Sequence, residues 1–88
     1  MGNYILIFKT TISTTFDRSK IIEKLYQSSR NIVVATVDID DEDRILRIES
    51  STSEIDYISE IMKKDGHNIS FLAAFEQEKQ EPIAIVKY

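Results

Sequence analysis

The sequence predicts an α/β domain of the α+β sandwich type, an antiparallel sheet with helices packed against one of its faces. Three observations predict it. Short runs rich in β-branched and aromatic residues alternate with two segments whose apolar residues recur at helical spacing. The connections between them are brief and carry turn residues such as Asp65-Gly66. A chain of 88 residues has the surface-to-volume ratio of one small core, so residues 1–88 form a single domain.

Each element has its own signature. Tyr4 to Ile12 is apolar on both parities, with Tyr4, Leu6 and Phe8 on one side and Ile5 and Ile7 on the other, which predicts an interior strand. From Asp17 to Ser29, Ile21, Leu25 and Ser28 share one helical stripe with Ile22 alongside, while Arg18, Glu23 and Lys24 fall elsewhere. Asn31 ends that helix, and Ile32 to Ile39 reads as a second strand. The run Asp38-Ile39-Asp40-Asp41-Glu42-Asp43 is polar enough for a hairpin turn, and Arg44 to Glu49 alternates as a third strand. Ser50 to Ser53 supplies capping hydroxyls for a second helix, whose stripe is Ile55, Ile58, Ile61 and Met62. Asp65-Gly66 stops it, with Gly66 suited to the left-handed C′ position.

Ile69, Phe71, Ala73 and Phe75 recur with period two as a fourth strand. Glu76 to Glu81 is a charged turn, and Pro82 opens the last apolar run, Ile83 to Tyr88. Pro at the first position donates no ladder hydrogen bond, so this C-terminal extension, residues 76–88, is expected to end in a short fifth strand at an edge. The order β-α-β-β-α-β is that of the ferredoxin-like split βαβ arrangement, in which two helices cover one face of the sheet and leave the other open.

Composition narrows the chemistry. Fifteen acidic residues against 11 basic ones give a net charge of −4, which repels a phosphate backbone, and the basic residues form no stripe, so no nucleic-acid partner is expected. The absence of cysteine removes disulfides, thiolate metal sites and a thiol nucleophile together. MGNYILIF has no basic n-region and no stretch approaches 18 apolar residues, so the expectation is a cytoplasmic protein without a membrane partner. One histidine, no Gly-rich phosphate loop and no G-x-S-x-G elbow leave few ways to build an activated nucleophile, and the protein is expected not to be an enzyme.

The framework FKTTISTTFDRSKIIEKL, VATVDIDDEDRILRIES and IMKKDGHNISFL resembles the heavy-metal-associated, copper-chaperone-like domains, in a match that covers roughly residues 4 to 72. It does so in its strand-loop-helix start, its strand pair, and the Asp65-Gly66-His67 turn before the last family strand. That family ends its first strand with Met-x-Cys-x-x-Cys, two thiolates suited to a soft ion such as Cu(I). In register, Ile12 stands on the Met, Thr14 on the first Cys and Asp17 on the second. The resemblance therefore implies the fold without copper transfer. In place of the ligands, Thr14-x-x-Asp17 has the spacing of a capping box: the Thr14 hydroxyl accepts from the third helical amide while the Asp17 carboxylate reaches back.

Three functional expectations follow. The first is a non-enzymatic binding or interaction module. Leu6, Phe8 and Ile12 face the helices, and Ile5 and Ile7 face the open side. With Phe side chains of the fourth strand and Ile83 and Ile85 of the terminal strand they form the surface for a protein partner or a second copy of the chain; the alternatives for the terminal strand are that it covers this face in cis or caps a sheet edge within the monomer. The second needs no resident cofactor and is a weak divalent-metal site made by Asp17, His67 and Thr14, since the resemblance puts the His67 turn beside the first loop. Those ligand types suit Zn(II), Ni(II) or Cu(II). The third is a regulatory domain of the ACT type, which shares the element order and binds a small molecule between subunits near the first strand-helix loop; its usual glycine is missing here. The acidic run places Asp38, Asp40 and Glu42 at the first ligand positions of a calcium loop, but Asp43 stands where the sharp turn needs glycine. A solvated hairpin is the expectation there.

Overall fold

The computed structural model describes residues 3–77. Six elements follow one another: β1 (Asn3–Thr10), α1 (Thr15–Ser28), β2 (Ile32–Val37), β3 (Leu46–Ser50), α2 (Ile55–Lys64) and β4 (Ile69–Gln77). The predicted fifth strand, with Ile83 and Ile85, lies outside the described residues.

The four strands form one antiparallel sheet in the order β2-β3-β1-β4. β1, apolar on both parities, is an interior strand as its sequence requires, paired with β3 on one side and β4 on the other. Antiparallel partners share a face, so the register defines two layers of side chains. On one face Leu6 stands opposite Ile48 and Phe8 opposite Leu46, with Ala35 and Val37 continuing the rows onto β2. These side chains are buried together with Ile12, with Ile21 and Leu25 of α1, and with Ile58, Ile61 and Met62 of α2. Both helices therefore present their apolar stripes to the same sheet face. Each fully buried Leu, Ile or Phe contributes about 1.5–3 kcal/mol relative to exposure, and this layer is the only large apolar cluster among the described residues.

The turns depart from the sequence expectation in instructive ways. β2 stops at Val37 and β3 starts at Leu46, so the connection spans residues 38–45. Asp38 Oδ1 accepts from the Asp40 amide (3.1 Å) and Asp41 Oδ1 from the Asp43 amide (2.7 Å), local bonds that compete with a strand ladder. Arg44 then has φ +51°, a left-handed conformation that no strand residue adopts.

At the start of α2 the hydroxyls of Ser50 to Ser53 do not cap the helix. The Ser50 hydroxyl accepts from the Thr52 amide (3.2 Å) and Ser51 Oγ bonds Asn31 Oδ1 (3.3 Å). The N-cap position falls to Glu54, which makes no side-chain cap bond. Its carboxylate instead accepts from Ser29 Oγ (2.8 Å) and Asn31 Nδ2 (3.1 Å), tying the end of α1 to the start of α2.

The other end of α2 is as predicted. Gly66 has φ +87°, its amide bonds Lys63 O and the His67 amide bonds Met62 O, both at 3.0 Å. These are the two reciprocal bonds of a Schellman motif.

Candidate functional site

The loop between β1 and α1, where the resemblance would place metal ligands, is a hub of structural hydrogen bonds. Thr14 is extended (φ −124°, ψ 154°) and its Oγ1 accepts from the Asp17 amide at 3.0 Å. That satisfies one of the orphan donors of the first turn. The reciprocal half of the box is not made: among the hydrogen bonds of the described residues, none runs from the Thr14 amide to the Asp17 carboxylate. Asp17 stands in the first turn as the favourable charge for the helix dipole.

Two neighbours that sequence reasoning passed over have equally definite tasks. Thr10, buried at the end of β1, donates through its hydroxyl to Arg44 O (2.6 Å) and accepts from the Ile12 amide (3.2 Å). It pins the β2–β3 connection to the sheet. Thr11 Oγ1 accepts from the Asn68 amide at 3.2 Å, holding the α2–β4 turn against the β1–α1 loop. Hydroxyl residues this dense at a strand end were the available signal, but their partners lie on other elements.

The His67 turn thus adjoins the first loop through its neighbour Asn68. His67 contributes its backbone amide to the end of α2, and Asp65 is bonded by Lys24 Nζ at 3.3 Å. Among the described residues no group of three or more His, Asp or Glu side chains is placed to hold a metal ion. The acidic connection shows why charge alone is insufficient: carboxylate oxygens of Asp38 and Asp41 are occupied by backbone amides, and Asp43 Oδ1 lies 3.4 Å from Lys9 Nζ.

The open face of the sheet is the other candidate. The register sets Val34, Glu49, Ile5 and Phe75 in one cross-strand row, and Thr36, Arg47, Ile7 and Ala73 in the next. Phe75 is 58% exposed and Val34 36%, and Ile5 and Ile7 between them are half-buried. Glu49 is the one carboxylate in these two rows and accepts from Asn3 Nδ2 at 3.4 Å. Sequence parity identified Ile5 and Ile7 on this face. It expected Phe side chains of the fourth strand there, of which the register selects Phe75, but it did not identify Val34, Arg47 or Glu49 as neighbours, because that grouping depends on strand register.

The edges are treated differently. On β2 the Ala35 amide donates to Tyr26 Oη of α1 at 2.9 Å, so the helix occupies a donor that an edge strand would otherwise present. On β4, Phe71, Leu72 and Phe75 are all exposed. No helix among the described residues is long and apolar enough to cross a membrane. No protein-family model matches the chain, and no curated protein matches it either.

Proposed function

We propose that the chain is a ferredoxin-like domain, of the kind its heavy-metal-associated framework resembles, that acts as a non-enzymatic protein-interaction module through the open face of its sheet. The element order and the strand order β2-β3-β1-β4 support the fold reading. The observation that carries the functional reading is Phe75: a large aromatic side chain 58% exposed in one row with Ile5 and Val34. Ile5, Ile7, Ala73 and Phe75 adjoin on β1 and β4, with the charged Glu49 and Arg47 of β3 between them and Val34; an exposed apolar patch with a polar rim marks a contact surface, and aromatic residues are the commonest anchors of protein interfaces. The loop that would hold a metal in the family is committed to helix capping and loop pinning, which favours this reading over a metal site.

The test is site-specific photo-crosslinking in the cells that make the protein. With p-benzoylphenylalanine at position 75, a discrete adduct of higher mass is expected, and it disappears when Ile7→Lys is added. The same probe at Phe16, exposed at the start of α1, serves as the control and gives no such adduct. Equal adducts from both positions, or none from position 75, would sink the proposal.

A further inference from the structure

We infer that the partner seated on this open face is a second copy of the chain, packed sheet to sheet; the inference rests on the interaction reading above and narrows it. The argument is that the face is complementary to itself. Two sheets stacked face to face are related by a two-fold axis lying between them, and an isologous interface must satisfy every contact twice. If that axis runs across the strands, midway between the two rows, each row is set upon the other row of the second copy.

The consequence can be read strand by strand. Glu49 faces Arg47 of the second copy, and Arg47 faces its Glu49, so opposite charges meet at both symmetric positions on β3. Ile5 meets Ile7 on β1. Phe75 meets Ala73 on β4, a large side chain above a small one, and Val34 meets Thr36 on β2. A face with Arg at both charged positions would repel itself in this arrangement. Here one acid and one base stand two residues apart on the same strand. Arg47 is exposed and has no carboxylate within 4.0 Å among the described residues, where the ion pairs are Lys9–Asp43 and Lys24–Asp65.

The size of the face sets the strength. Four strands about 4.8 Å apart, with roughly six residues each at about 3.3 Å, give a face of about 19 by 20 Å. Two such faces bury roughly 760 Å², below the size of standard specific complexes and in the range of weak, transient ones. The dimer is therefore reversible, with dissociation in the micromolar range or weaker.

Sedimentation equilibrium of the untagged full chain, from micromolar to millimolar concentration, tests this with two charge-swap variants. Wild type is expected to shift from monomer to dimer. Arg47→Glu sets four carboxylates across the interface and Glu49→Arg sets four guanidinium groups, so each alone weakens association at least about a hundredfold. Mixed in equal amounts the two variants restore both ion pairs, and dimer returns as the mixed species. This last arm cannot be explained by misfolding of either variant, and circular dichroism of each alone checks its fold. A monomeric wild type, variants that dimerise as well as wild type, or a mixture that stays monomeric overturns the inference. The broader reading is separable: an adduct from position 75 with a mass other than twice that of the chain leaves the interaction surface standing with a different occupant, such as another protein.

Discussion

Removing the Thr14 hydroxyl decides whether the β1–α1 loop is a helix cap. In Thr14→Ala the Asp17 amide loses its acceptor at 3.0 Å and nothing else in the hydrogen-bond network changes. The site is exposed, so water partly replaces the bond. The cost is then about 1 kcal/mol, the usual value for an N-cap. Thr14→Ser keeps the acceptor and should lie within about 0.3 kcal/mol of wild type. For a domain of this size a loss of 1 kcal/mol lowers Tm by about 4–8 °C, and the urea midpoint falls by roughly 0.3–1 M at an unchanged m-value. Asp17 adds a finer test. It acts in the first turn as a charge near the helix dipole, and the reciprocal bond is absent, so Asp17→Ala should cost only about 0.3–1 kcal/mol. The double variant should then be additive within about 0.5 kcal/mol. Equilibrium unfolding in urea measures wild type and the four variants. A Thr14→Ala variant as stable as wild type would refute the cap, and a coupling of about 1 kcal/mol or more would show that the reciprocal half of the box forms after all.

Other substitutions probe the remaining joints. Gly66→Ala meets no atom within 4 Å of the added Cβ, so its whole effect is the left-handed backbone at φ +87°, about 1–2 kcal/mol of destabilisation by thermal unfolding. Glu54→Ala leaves Ser29 Oγ and Asn31 Nδ2 without their acceptor, and about 2 kcal/mol should be lost in urea titration, with Gln, which keeps one acceptor oxygen, falling between. Tyr26→Phe frees the Ala35 amide at the β2 edge. About 1 kcal/mol should be lost, and light scattering on storage should rise because the edge can now pair with another chain. Zinc tests the loop as a metal site: Asp17 and His67 without a third carboxylate or imidazole should leave Tm within about 1 °C on adding excess Zn(II). A saturable rise that disappears in His67→Ala would contradict this.

The elements were legible where one local signal decides them. Both helices follow from apolar stripes that the structure buries, Ile21 with Leu25 and Ile58 with Ile61 and Met62, and Gly66 ends α2 by the conformation that favours glycine. The Thr14 cap was legible for the same reason, since donor and acceptor lie three residues apart. What escaped the sequence depends on partners distant along the chain. The hydroxyls of Ser50 to Ser53 read as caps, but Ser51 bonds Asn31 twenty positions away, and Glu54 turns to Ser29 and Asn31. Thr10 and Thr11 read as loop residues, although their partners Arg44 and Asn68 are 34 and 57 positions distant. A residue type announces that it will form a hydrogen bond; only the fold chooses with whom.

The same limit shaped the reading of the open face, and β4 shows how. Ile69, Phe71, Ala73 and Phe75 share one parity, so a regular strand would put all four on one side. Pairing with β1 instead shifts register between Ile7 and Phe8, leaving Leu72 as an extra residue. Such a bulge reverses the facing of everything beyond it. Phe71 pairs with Phe8 on the core side, its ring edge-on to the buried Phe8 ring at 5.6 Å, while Ala73 and Phe75 pair with Ile7 and Ile5 on the open side. Both demands cannot be met by an unbroken strand: the core takes an aromatic opposite Phe8, and the open face takes one opposite Ile5. Period-two counting has no term for a bulge, because the bulge is imposed by the neighbouring strand. One additional residue at the sheet edge therefore determines that Phe71 supports the core and Phe75 anchors the open face, and the matching of the Phe75 row to the Ala73 row depends on it.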